Sequence, residues 1–359
     1  MNRFTSIAPR RARCQGQYAA DVASRPGRRT TIRELAEYTG LSPAAVSYAL
    51  RGMQVSAETE RRVREAAEQL GYEADPIARA LAGGATAVVG LLVGSLADFW
   101  IQELVRAVQR ELYGAARSTL VADADGEPSR ELELARRLVD HRVDGLVVVP
   151  IGPASGGWES IAREVATVTI GDALQGVSAA GEVVFDNERG VRESLEHLGR
   201  LGHRSVTVLS WAVETLPDRQ AERAVAASAA ALGIKCRVVG CAYSLNGSRP
   251  LALELLGSDE RPSAVLCLSD SIAYGVYAAC AELGLSIPGD VAVAGFGDHP
   301  ISRLLAPPLT STVWDVDRVA ELATGFLMQA IEADGPQATL REVVEPVLVA
   351  RASTGPDAG

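Results

Sequence analysis

Cysteine is scarce in this chain of 359 residues: five occur, at positions 14, 236, 241, 267 and 280. An odd number at scattered positions gives neither a disulfide framework nor a metal-ligand spacing, and a reduced, cytoplasmic compartment is expected. Histidine is scarcer still, with His141, His197, His203 and His299 set in helices or loops without partner spacing. The glycine-rich GxGxxG turn, the P-loop and the GxSxG elbow are missing too, so no recognisable catalytic set is read and no enzyme is expected. His299 alone is kept as a ligand contact. No apolar run approaches the length of a membrane span, and no apolar stretch follows the N-terminal charges as a signal peptide requires. No cofactor and no membrane partner are expected.

The hydrophobic fraction of 47% and charged fraction of 22% are those of ordinary globular protein. The length exceeds one hydrophobic core, so two or three domains are expected. Charge is shared unevenly. Residues 1–84 hold thirteen Arg against nine acidic residues, while the remainder holds 22 basic and 36 acidic ones within a net charge of −10. A basic head on an acidic body suits a nucleic-acid reader, whose affinity comes largely from phosphate neutralisation. Residues 1–29 carry seven Arg against one Asp without helical or strand period, and read as a disordered basic extension.

Residues 30–74 read as three short helices. Thr31 followed by Glu34 is a capping box, with Ile32, Leu35 and Ala36 at helical spacing and Gly40 as the stop. Ser42 caps a second helix with Pro43 at its first position, and Ala45, Val46, Ala49 and Leu50 form its buried stripe. A third helix follows Ser56 and turns Val63, Ala66, Ala67 and Leu70 inward before Gly71. Helix, tight Gly-containing turn, helix is the helix-turn-helix arrangement, whose second helix enters the major groove. Residues 75–84 (DPIARALAGG) suit a short hinge helix and a flexible joint.

From Ala87 the period changes to alternating strands and helices: AVVGLLVGS, STLVADA, DGLVVVP, EVVF, SVTVLSW, CRVVGCAY, AVLCLSD and DVAVAGFGD, with helices between. Such alternation implies parallel, doubly wound sheets in two similar halves. Crossovers between the halves are expected near 167–186, 296 and 310–315, with one terminal strand around Val343–Leu348. Ligands of open α/β sheets sit beyond the carboxyl ends of the strands, here in a cleft between the halves.

The stretches TIRELAEYTGLSPAAVSYALRG, VSAETERRVREAAEQLGY and DPIARAL, then LGHRSVTVL, LGLSIPGDVAVAGFGD and APPLTST, resemble the lactose-repressor (LacI/GalR) family of bacterial transcription factors. The resemblance implies an all-α helix-turn-helix headpiece and an α/β periplasmic-binding-protein-like core of two doubly wound parallel-sheet halves spanning 85–359. It implies a repressor that binds double-stranded DNA at a pseudopalindromic operator as a homodimer, under control of a small-molecule effector, a sugar or another small metabolite. The other readings are a solute-binding protein, or a regulator whose cleft answers to a partner protein.

The resemblance places Pro43, Ala44 and Tyr48 at base edges and Thr31, Ser42 and Ser47 at phosphates. Tyr48 stands where the family commonly has Arg, so the bidentate guanine contact is lost there and Arg51 is the candidate to replace it. Ala78 and Leu81 belong to the hinge helix, with Leu81 as the minor-groove wedge. Strand ends and resemblance together nominate Phe99, Trp100, Arg219, Tyr243, Ser269, Asp270 and Asp298 for the effector. Gly297 and Ser269 depart from the family's usual Asp and Asn, which weakens the case for a sugar. The short tail RASTGPDAG has no apolar heptads, so a dimer rather than a tetramer is expected.

Overall fold

The computed structural model describes residues 30–50, 52–53, 55–72, 85–154, 156–211, 220–241, 246–333, 335 and 337–355. They fall in two compact units, 1–86 and 87–359. The basic extension 1–29, Arg51, the hinge with Ala78 and Leu81, Arg219 and Tyr243 lie outside the described residues.

In the first unit, α1 (Ile32–Thr39), α2 (Pro43–Leu50) and α3 (Ala57–Gln69) close on a core of Leu35, Ala36, Val46, Ala49, Val63, Ala66 and Leu70. Local chemistry starts and stops each helix. The Thr31 side chain accepts from the Glu34 N–H while Glu34 accepts from the Thr31 N–H at 2.8 Å, the reciprocal capping box. Gly40 ends α1 at φ 66°, a left-handed conformation that glycine adopts without a Cβ penalty. Ser42 accepts from the Ala45 N–H at 3.2 Å, and Ser56 from the Thr59 N–H at 3.3 Å. Long-range bonds then tie α1 to α3: Arg62 donates to the Thr39 carbonyl, and the Tyr38 hydroxyl to Gln69 at 2.7 Å.

The second unit holds two six-stranded sheets. The first runs β11-β5-β4-β3-β1-β2, from β1 (Val88–Val93), β2 (Ser118–Asp123), β3 (Gly145–Val148), β4 (Ala166–Gly171), β5 (Gly181–Phe185) and β11 (Leu340–Val344), all parallel. The second runs β12-β10-β9-β8-β6-β7, from β6 (Ser205–Trp211), β7 (Lys235–Cys241), β8 (Ala264–Cys267), β9 (Ala292–Phe296), β10 (Thr310–Val313) and β12 (Val347–Val349). Only β12 is antiparallel to its neighbour. The inner strands are buried along their length, as parallel strands covered on both faces must be.

Among the described residues eight α-helices cover these sheets: α4 (Phe99–Gly114), α5 (Pro128–Asp140), α6 (Trp158–Glu164), α7 (Asn187–Arg200), α8 (Gln220–Leu232), α9 (Ser248–Leu256), α10 (Asp270–Leu283) and α11 (Val316–Glu332). The chain passes between halves three times. It leaves β5 through Asp186 into α7 and β6, returns after β10 through α11 to β11, and crosses again between β11 and β12.

These crossings correct three expectations. Residues 166–171 and 181–185 are strands of the first sheet, so only the end of 167–186 is a crossover. Phe296 is no crossover, because β9 and β10 are neighbours in one sheet. The terminal strand is two strands in different sheets, divided at Glu345 and Pro346, where proline offers no N–H to a ladder.

Candidate functional site

In the headpiece Thr31 caps the first helix, Ser42, Pro43 and Ala44 stand at the start of the second, and Ser47 and Tyr48 lie further along it. Thr31, Ser42, Pro43, Ala44 and Tyr48 are exposed, and Ser47 is half-buried beside them. Val46 and Ala49 of the same helix are buried, so the helix turns its other side outward. Exposed residues at a helix N-terminus meet the geometry of groove reading, since the free N–H groups and the dipole favour phosphate there. Tyr48 keeps 42% of its surface, a large apolar ring held outside a core that had room for Leu50.

In the second unit, a cavity of about 190 Å³ lies beyond the carboxyl ends of β1, β3, β4 and β5 on one side and β6, β8 and β9 on the other. Trp100, Phe185, Trp211, Phe296 and Trp314 wall it, together with Ile101, Pro150 and Ile151. Phe185 and Trp314 stack at 5.0 Å, and Trp100 meets Phe185 edge-on at 5.4 Å, both favoured aromatic geometries. The indole N–H groups of Trp100 and Trp314 are buried without a hydrogen-bond partner, leaving donors that an acceptor-bearing molecule can satisfy. Asp98, Asp172, Asn187, Ser210 and Ser269 supply the polar lining, and no basic side chain lines the cavity among the described residues.

Trp100 and Ser269 thus line the cavity, and the other described nominees do not. Phe99, one residue from Trp100, packs instead against His299 at 5.2 Å and Tyr274 at 5.9 Å. The Asp270 carboxylate turns into the second half, accepting from Ser302, from Ser311 at 2.6 Å and from the His299 N–H at 2.9 Å. Burial raises its pKa to about 6 despite those bonds. Asp298 is paired with Arg351 at 2.6 Å and Arg303 at 2.9 Å. His299 is held below the usual histidine range by burial.

Several lining residues escape a reading of the sequence, yet most carry a signal. Trp211 and Phe185 end the strands β6 and β5, where the strand-end rule places ligand contacts. Asp98 is the N-cap of α4, accepting from the Trp100 N–H at 2.9 Å. Glu131 of α5 reaches the lining indirectly: fully buried, it accepts from the Ile151 N–H at 2.7 Å and the Gly152 N–H at 3.2 Å. Its burial raises the carboxyl pKa to about 7.

Comparison with known proteins agrees with this division. Residues 31–75 match the bacterial regulatory proteins of the lacI family, and residues 195–354 match the periplasmic binding protein-like domain. The chain is 27% identical to the HTH-type transcriptional regulator GalR of Escherichia coli over 328 residues, covering 90% of this chain and 95% of that protein. It is 25% identical to catabolite control protein A of Priestia megaterium over 299 residues, 81% of this chain and 90% of the other. The fold matches that of a lac repressor dimer bound to operator and anti-inducer with a TM-score of 0.77 at 22% identity, over 92% of this chain and all of that one. No described helix is long and apolar enough to cross a membrane. A helix-turn-helix headpiece matching the lacI family of bacterial regulatory proteins is thus followed, in one chain, by a two-sheet core matching the periplasmic binding protein-like domain.

Proposed function

We propose that this protein is a sequence-specific DNA-binding transcriptional repressor whose operator affinity is set by a small molecule held between the two halves of its core. One observation carries this reading. A headpiece that exposes Ser42, Pro43 and Ala44 at a helix start and Tyr48 further along the same helix is joined in one chain to a core with a walled, aromatic cavity at the carboxyl ends of both sheets. A solute-binding protein has no use for the first, and catalysis has no recognisable residues in the second.

Thr31, Ser42 and Ser47 are assigned to phosphates, Pro43, Ala44, Tyr48 and Arg51 to base edges, and Ala78 and Leu81 to the operator centre. The lac repressor it resembles in fold was solved as a dimer on its operator with an anti-inducer. The same assembly, a homodimer reading two half-sites about 34 Å apart, is proposed here, in the cytoplasm where the DNA is.

For the effector, Trp100 and Ser269 remain assigned, with Arg219 and Tyr243 on segments that follow β6 and β7. Five aromatic walls and the two unpartnered indole N–H donors of Trp100 and Trp314 support a molecule with flat apolar faces and acceptor oxygens. The test is linkage. A metabolite that protects the core against unfolding must shift operator affinity, and operator must shift metabolite affinity by the same factor. A metabolite that fills the core without moving operator affinity would leave the cleft to another partner.

A further inference from the structure

Three consecutive residues at the start of α4, in the first half of the core, are seated in the second half. Asp98 accepts at Oδ2 from Ser269 at 2.9 Å and from the Trp211 indole N–H at 3.3 Å, and at Oδ1 from Ser271 at 3.3 Å. Phe99 packs against Tyr274 and stacks on His299, and its N–H donates to the Ser271 hydroxyl at 3.1 Å. Trp100 lies on Gly297 so closely that a β-carbon there would stand 3.1 Å from its Cδ1.

We propose that Asp98 is the latch of the cleft, a positioning residue that holds the two halves of the core together without a ligand. A buried carboxylate is stable only when its lone pairs are met, and here three of the donors come from the opposite half while one, the Trp100 N–H, is local. Opening the cleft exchanges those three donors for water, which solvates an anion well. Because Asp98, Trp211 and Ser269 also line the cavity, a molecule entering it touches the latch itself. Phe99 and Trp100 add apolar contact but no charge, so they set the register of the closure and Asp98 its strength.

Amide exchange of the full-length chain without ligand tests the latch. In Asp98→Asn the amides of 98–100 and 269–271 exchange about tenfold faster or more, because a lost charge-assisted hydrogen bond exceeds the ~1.4 kcal/mol that a factor of ten represents. The strands Ala166–Gly171 and Ala264–Cys267 keep their rates. If Asp98→Asn speeds the strands as well, its core is compromised and Ser269→Ala, which removes one donor to Asp98 along with the cap on the Ser271 N–H, decides instead. Faster exchange at 98–100 in that variant supports the latch. Exchange at 98–100 that is equally fast in wild type and variant overturns it. The consequence for DNA rests on the repressor reading and is measured separately, as an operator affinity that moves in Asp98→Asn. A wild-type protein that binds no operator would count against that reading, while exchange still judges the latch.

Discussion

Gly297 holds φ +118°, and its missing side chain leaves the space that Trp100 occupies: a β-carbon would meet Cδ1 at 3.1 Å, Cβ at 3.3 Å and Cγ at 3.4 Å. The residue that departs from the family's usual Asp is thus matched to a tryptophan from the other half. Gly297→Ala must adopt a backbone conformation that L-residues rarely take and push the indole aside. It should destabilise the core by about 1–3 kcal/mol, read from urea unfolding. Stability unchanged from wild type would show that the Trp100 contact is loose.

Glu131 predicts an unusual pH dependence. Its carboxyl is raised from 4.5 to about 7, so the folded core binds the proton more tightly than the unfolded chain. Its contribution is fully present below pH 4.5 and is lost as pH rises to 7, by about 3 kcal/mol at most. Burial lowers the pKa of His203 and His299, which acts in the opposite sense by removing stability as pH falls below 6.5. The difference between wild type and Glu131→Gln isolates the glutamate. Wild type should lose stability relative to the variant between pH 5 and pH 7 in urea titrations; parallel profiles would contradict the assignment.

Tyr48 is the large exposed side chain of the second headpiece helix. Tyr48→Ala removes the proposed base contact but no charge. Specific operator affinity should fall by about tenfold or more, while non-specific affinity and the salt slope, which count phosphate contacts, stay as they were. Equal losses on specific and random DNA would place Tyr48 outside the base-reading set.

The headpiece was legible because its signals are local. The Thr31–Glu34 capping box, Gly40 and the Ser42–Pro43 start each act within four residues, and each stands where its residues put it. The α/β alternation was legible for the same reason, except where a strand carried polar residues. In β4, Thr167 and Thr169 are buried in a parallel strand that follows a helix of only seven residues, so no long apolar run announces it. The site was half legible. Strand ends lead to Trp100 and Ser269, but a strand-end aspartate can face either way. Asp270 is claimed by Ser311, 41 residues on, and Asp298 by Arg351, 53 residues on. Asp98 is not singled out by the sequence, because its partner Ser269 is 171 residues distant and in the other half.

The most direct test is selection of DNA fragments by the purified full-length protein at near-physiological salt, read by sequencing. A pseudopalindrome whose half-sites lie about one helical turn apart around a deformable central step is expected, with loss of the preference for that centre in Leu81→Ala. Recovery of unenriched DNA, with or without the metabolite that stabilises the core, would contradict sequence-specific operator binding.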